Sequence, residues 1–306
     1  MSMTATRVAM GKALKSLGEV NGKVVVFDAD VGAATQTKMF AQAFPDRFFQ
    51  MGIAEANMTG AAAGMSEYGF IPFISTFAVF GSGRAYDQVR NTIAYEHYNV
   101  KLAMTHAGIT GGPDGGSHQS IEDIALMRVI PGMTVFCPCD SSETEQAVRL
   151  AAEIDGPVYI RCSRMPTPDY PEHPFVLGGS HVVWEGKDVV LFACGTMVSS
   201  CIAAAEKLAE SGIDAAIVDL YSVKPIDADR IREYAKRCGK AVTVEEHSII
   251  GGLGDAVSLV LEDSCIPMKR IGIQDKFGSS GAPEELLAAY ELDGDGIARQ
   301  VKSWLK

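Results

Sequence analysis

Short apolar runs alternate with amphipathic stretches along almost the whole chain. Val24-Val25-Val26-Phe27 is apolar without polar alternation, the pattern of a strand buried on both faces. Comparable runs at 70–77, 100–105, 133–137 and 158–161, then at 189–193, 213–220 and 241–246, predict further strands. Between them lies helical periodicity. It covers 8–17 behind a Thr4 or Thr6 cap, 36–44, about 83–95, 121–127, and 142–154 behind an Asp140 or Ser141 cap. Later helices are expected near 198–211, 227–237, 254–262 and 283–290. Strand and helix in alternation predict an α/β protein with mainly parallel sheets.

Two stretches break the alternation. Pro166, Pro168, Pro171 and Pro174, followed by Gly178-Gly179, read as a linker over 166–186. It divides the chain into two doubly wound α/β domains, 1–165 and a smaller 187–306. The second break runs from His106 to Gln119 and holds five glycines and a proline, with His106 and His118 near its ends. So long a loop inside a domain is functional or disordered.

A third stretch organises the first domain. Phe48, Phe49 and Met51 arrive as a buried strand, turn at Gly52 and open a helix whose first turn carries one acid, Glu55. Ala56, Gly60, Ala61, Ala62, Ala63 and Gly64 give that helix little to grip. Glycine weakens a helix by roughly 1 kcal/mol relative to alanine, so another backbone or a ligand is expected to come close. A carboxyl at such a junction is costly to bury without a dedicated partner. The plainer reading is an acid complementing the positive end of a helix.

Composition narrows the function. The 306 residues are 47% hydrophobic and 21% charged, with ample core for two domains. A net charge of −11 argues against a nucleic-acid surface, and any anionic substrate must be held by a local group of cations. The start Met1-Ser2-Met3-Thr4-Ala5-Thr6-Arg7 has no basic region leading into an apolar run, so no secretory leader is expected. No apolar run approaches the ~20 residues of a membrane span. Seven scattered cysteines form no disulfide framework, and Cys137-Pro138-Cys139 has poor zinc spacing. A cytoplasmic protein with reduced thiols fits best.

Four features fall near strand ends of the first domain: Glu55, the aromatics Phe77 and Phe80, the His106–His118 loop, and Arg164. Met singly, a loop histidine is an ordinary polar residue and a phenylalanine pair is ordinary core. Together they are not ordinary, because a glycine-rich loop between histidines neither fills a core nor builds a regular surface.

These segments, in this order, resemble the C-terminal half of transketolase: a pyrimidine-binding domain followed by the transketolase C-terminal domain. The match is carried by Gly52-Ile53-Ala54-Glu55, Ser75-Thr76-Phe77-Ala78-Val79-Phe80, Arg84-Ala85-Tyr86-Asp87-Gln88, 105–123, Arg161-Cys162-Ser163-Arg164 and 245–254, and spans essentially the full length. The resemblance implies a transferase using thiamine diphosphate and Mg²⁺ in pentose phosphate chemistry. By that resemblance Glu55 hydrogen-bonds N1′ of the aminopyrimidine, Phe80 stacks on the ring and Phe77 lies beside it. The cofactor so primed attacks the ketose carbonyl, and a two-carbon unit passes to an aldehyde. His106, Asp114 and His118 match residues that bind sugar hydroxyls and assist proton transfer; Arg7 and Arg164 match positions that hold the terminal phosphate.

Two departures stand out. The 31–37 loop offers threonines where many transketolases place a phosphate-binding serine, and Gly81-Ser82-Gly83 lacks an aromatic found in some relatives. Branched or sulfonated sugars therefore stay open beside xylulose and ribose 5-phosphates. The family's diphosphate and Mg²⁺ segment is a Gly-Asp-Gly followed downstream by asparagine. Gly294-Asp295-Gly296 has only ten residues after it and no asparagine, so it reads as the cap of a final helix and not as a metal site. The resemblance thus implies a separately encoded N-terminal subunit that carries the diphosphate domain and most of the Mg²⁺ ligands, in an α2β2 heterotetramer. The rival readings are a 2-oxoacid dehydrogenase β-type subunit, a deoxyxylulose-phosphate synthase-like protein, and a non-catalytic regulatory subunit that keeps the fold.

Overall fold

The computed structural model describes residues 2–306. Strands β1 (Met3–Ala5), β2 (Val24–Asp28), β3 (Phe48–Gln50), β4 (Ile71–Ser75), β5 (Lys101–Met104), β6 (Thr134–Phe136) and β7 (Val158–Arg161) come first in the chain. They are followed by β8 (Pro166–Pro168), β9 (His181–Trp184), β10 (Val189–Ala193), β11 (Ala215–Asp219), β12 (Ser222–Lys224), β13 (Ala241–Ser248) and β14 (Met268–Ile273). The uninterrupted apolar runs become the central strands. β2, β5, β7, β10 and β11 are buried at every residue, as strands covered by helices on both faces must be.

The larger sheet has the order β12-β6-β7-β5-β4-β2-β3, with every pairing parallel except β12 on β6. The smaller sheet runs β14-β13-β10-β11-β9, parallel except for β9 on β11. Both are α/β sheets with mainly parallel strands. In such sheets ligands bind outside the carboxyl ends of the strands, and those ends of β3, β4, β5 and β7 lead into the segments carrying Glu55, Phe77, His106 and Arg164.

Several boundaries differ from the sequence expectations. The stretch 166–186 contains β8, which pairs antiparallel with β1, and β9, which joins the smaller sheet. β12 leaves the smaller sheet's half of the chain to pair with the otherwise open edge of β6. Neither Thr4 nor Thr6 caps the first helix, Thr6–Val20. Thr4 lies in β1 instead, and the Thr6 hydroxyl accepts from the Ser163 N–H at 2.7 Å. Asp140 does cap its helix, accepting from the Glu143 N–H at 2.9 Å.

The helix expected to begin near Gly83 begins at Ala78 and carries widened, π-type turns at Phe80–Arg84 and Gln88–Ala94. Gly81 lets its first turn press against the Met104 side chain, where a Cβ would collide. Widened turns of this kind recur at functional sites. The final helix, Gly294–Leu305, is capped by Asp293 accepting from the Gly296 N–H, and Asp295 pairs with Lys207 on the surface.

Candidate functional site

Glu55 opens the Glu55–Glu67 helix after a turn at Gly52, whose φ of +68° suits glycine. Its carboxylate is buried, 2% exposed, and the nearest cation is Arg84, with Nη1 3.7 Å from Oε2. Arg84 also lies over the Phe80 ring, 4.8 Å from its centroid. Gly60 and Gly64 face open space, so nothing among the described residues makes the close approach their size permits.

The aromatic groups gather beside this carboxylate. Phe77 and Phe80 lie 6.2 Å apart and nearly parallel, Phe77 stacks on His106 at 4.0 Å, and His118 meets Phe80 edge-on at 5.2 Å. They come from one helix start and one loop, because Ala78 is tied to Thr105 by an N–H···O bond of 2.7 Å. The glycine-rich loop is mostly buried rather than disordered. Short helical turns at Ile109–Asp114 bend sharply at Gly112, and Gly115 and Gly116 pack against the 278–280 segment.

His106 occupies a left-handed backbone conformation, φ +58°, a region that non-glycine residues rarely adopt. Its Nδ1 lies 2.8 Å from the Thr105 hydroxyl. Burial, then the charges of Arg7, Arg164 and His118, push its pKa down to about 3, so the ring is neutral at physiological pH. The unfolded chain therefore takes up this proton as pH falls below 6.5 while the folded chain does not. Stability is complete above pH 6.5 and lost down to about 3. His106→Gln is expected to flatten that loss by roughly 1.4 kcal/mol per pH unit, as measured by urea unfolding at pH 7 and pH 5.

Arg7 and Arg164 form the other wall. Arg164 donates to the Gly111 carbonyl at 3.0 Å and pairs with Asp114 at 3.2 Å. Arg7 donates to the Ala34 carbonyl at 2.5 Å, while its Nε is buried with no partner among the described residues. Burial and the nearby Arg164 charge both hold the Arg7 guanidinium below its ordinary pKa. Two cations drawn together around an orphaned N–H suit an anion. The loop threonines do not share that task. Thr35 and Thr37 are buried with their hydroxyls on Asp28 Oδ2, at 2.9 and 2.8 Å.

All eight expected residues thus fall into one connected group: Arg84 joins Glu55 to Phe80, His118 and Phe77 lead to His106, and His106 leads to Arg7, Arg164 and Asp114. Sequence reading missed Arg84 as a neighbour of Glu55, although it lies in a quoted motif, because only the widened turn at Phe80–Arg84 brings the two together. A cavity of about 590 Å³ lined by Tyr170, His173, His181 and Trp184 lies away from this group. Cys139, Asp140 and Glu143 place ligand-type atoms within 4.8 Å of one another. Their carboxylates are already engaged, Asp140 by the Glu143 and Tyr170 N–H groups, Glu143 by the Cys139 N–H and His173.

Comparison with known proteins decides the family. The family described as "Transketolase, pyrimidine binding domain" matches residues 2–169, and "Transketolase, C-terminal domain" matches 178–297. The chain belongs to the transketolase family. A transketolase C-terminal section of Methanocaldococcus jannaschii is 46% identical, covering 98% of this chain and 96% of that protein. A 6-deoxy-6-sulfo-D-fructose transketolase subunit of Clostridium sp. is 40% identical over 94% of this chain and 90% of its own length. Human transketolase is 36% identical, but this chain spans only 48% of it. A solved structure described as a split gene transketolase, an inactive β4 tetramer, superimposes with a TM-score of 0.91 at 50% identity, covering 98% of both chains. This transketolase-family chain has no helix long and apolar enough to cross a membrane among its described residues.

Proposed function

We propose that this chain is the C-terminal subunit of a split transketolase that moves a two-carbon ketol unit from a ketose phosphate to an aldose phosphate. The observation that carries this reading is the Glu55 carboxylate, buried at a helix start beside a shelf of phenylalanine and histidine rings. That arrangement fits a planar aminopyrimidine with a ring nitrogen facing the acid. It fits the diphosphate and Mg²⁺ less well: Gly294-Asp295-Gly296 is spent on a helix start, with Asp295 on Lys207. A partner subunit supplies that half, in an α2β2 assembly, and the open face at Gly60 and Gly64 suits its approach.

When bound, thiamine diphosphate supplies the electron sink for breaking and making the bond beside the ketose carbonyl. Glu55 holds the hydrogen bond at the pyrimidine nitrogen in a dry setting. Phe80 and Phe77 orient the ring by stacking, worth about 0.5–1.5 kcal/mol beyond burial. His106 is neutral, with Nδ1 on Thr105, so Nε2 remains for a sugar hydroxyl. His118, with Nδ1 2.9 Å from Ser117, and Asp114 serve the same hydroxyls. Arg7 and Arg164 bind the terminal anion; because Thr35 and Thr37 are turned onto Asp28, that anion rests on guanidinium groups more than on hydroxyls. Relatives named for sulfonated and branched sugars (6-deoxy-6-sulfo-D-fructose, apulose 4-phosphate) make those substrates part of the test.

The chain is mixed with its presumed partner, Mg²⁺ and thiamine diphosphate, and ketol transfer from xylulose 5-phosphate to ribose 5-phosphate is assayed, with sulfonated and branched donors in parallel. Activity that needs both chains is expected. A second reading comes from a 1-deoxy-D-xylulose-5-phosphate synthase of Caldanaerobacter, 38% identical over 94% of this chain. Turnover of pyruvate with glyceraldehyde 3-phosphate, and none with any ketose, would favour that reading and defeat ours.

A further inference from the structure

We infer that Glu246, in the smaller domain, is a positioning residue for the site: its carboxylate sets the backbone of the loop that presents His106 and Asp114 and fixes where the two guanidinium groups meet it. The inference builds on the functional reading above. Glu246 lies in β13 and is 2% exposed. Oε1 accepts from the Thr110 N–H at 2.5 Å and Oε2 from the Thr196 hydroxyl at 2.7 Å. Its own carbonyl accepts from Arg161 Nη2 at 3.0 Å, and Arg161 is paired with buried Asp123 at 2.8 Å. A carboxylate buried this deeply is tolerable only because each oxygen is used.

Thr110 is the point where the parts of the site converge. Its hydroxyl lies 3.3 Å from that of Ser163, and the Ser163 carbonyl accepts from the Arg7 N–H at 3.2 Å. The next residue, Gly111, receives Arg164. Gly108 shows that loop and carboxylate are shaped together: its φ is +77°, and a Cβ there would strike the Glu246 carboxylate. Gln119 adds a second clamp, its amide N–H groups bonding Ile109, Gly112 and, in the smaller domain, Ser279. The left-handed turn at His106 is therefore held from outside the loop, as an unfavourable backbone must be.

A residue that only stabilised the fold would shift the melting temperature and leave the surroundings of His106 unchanged. The full chain, labelled at histidine, separates the two by the NMR titration of the His106 ring, which is faced by Arg7, Arg164, His118, Thr105 and Phe77. His106→Gln identifies the resonance. In the parent the ring is expected not to titrate above about pH 5. Glu246→Gln keeps an oxygen for Thr110 and offers an N–H to Thr196, so it should behave as the parent.

Glu246→Asp is one methylene short and cannot reach both partners. Its His106 should titrate at least one pH unit higher than the parent's. Thr196→Val removes only the hydroxyl on Oε2 and should give a smaller rise; it decides the matter where Glu246→Asp does not fold. A folded Glu246→Asp with parental titration overturns the inference, as does a parental Thr196→Val when that variant decides. Because the readout needs no turnover, absent ketol transfer would defeat the functional reading alone.

Discussion

Glu55→Gln is expected to lower ketol transfer by the reconstituted enzyme by roughly 10²–10⁴-fold, the usual worth of a positioned proton-transfer group. Glutamine has nearly the same shape, so the helix start and the ring shelf stay in place. What disappears is an acid that can hold or yield a proton at a ring nitrogen. Among the described residues the carboxylate is paired with Arg84, whose own side chain is 57% exposed, so the native protein gains little from the pair. A neutral amide is easier to bury than a carboxylate, and the melting temperature of the variant should be at or above that of the parent. Steady-state kinetics and differential scanning calorimetry on the same preparations check both halves. Near-normal turnover in a well-folded Glu55→Gln would remove the mechanism.

Arg164→Ala is expected to raise KM for a phosphorylated donor by about 30-fold: losing one partner of a buried charged contact costs about 2–5 kcal/mol, and an Arg164 side chain that is 35% exposed takes the low end. A donor lacking the terminal anion should change less than about threefold, since only the anion contact is removed. Arg164→Lys restores charge without the planar fork and should recover only part of the loss. Arg7, whose Nε has no partner among the described residues, remains as the second cation, which keeps binding from vanishing. Initial-rate measurements over donor concentration, with and without the phosphate, test this. Equal effects on both donors would take Arg164 out of anion binding.

The central architecture was legible because uninterrupted apolar runs such as 24–27 and 189–193 have few alternatives to a strand covered on both faces. β9, β12 and β14 were not legible. Each is short or mixed in polarity and lies at a sheet edge, where one exposed side relaxes the demand for apolar residues. The helix start at Ala78 was hidden by Gly81 and Gly83, which read as a turn until Met104 packs against Gly81. In the site, residue types and order singled out Glu55, the phenylalanines, the histidines and the arginines. The contact of Arg84 with Glu55 and the hold of Glu246 on Thr110 depend on chain segments up to 136 positions apart, and no local pattern encodes them.

β12 carries a consequence for dissecting this molecule. Three residues from beyond position 220 finish a sheet whose other strands all precede position 162. A fragment ending at the proline-rich stretch would leave β6 with a bare row of amide and carbonyl groups, a template for sticking to its own kind. β12 is thus one of the stitches that sew together the two halves recognised as separate families, beside the Glu246–Thr110 and Gln119–Ser279 bonds. Anyone borrowing the first half as a portable module would have to bring that thread along or mask the raw border.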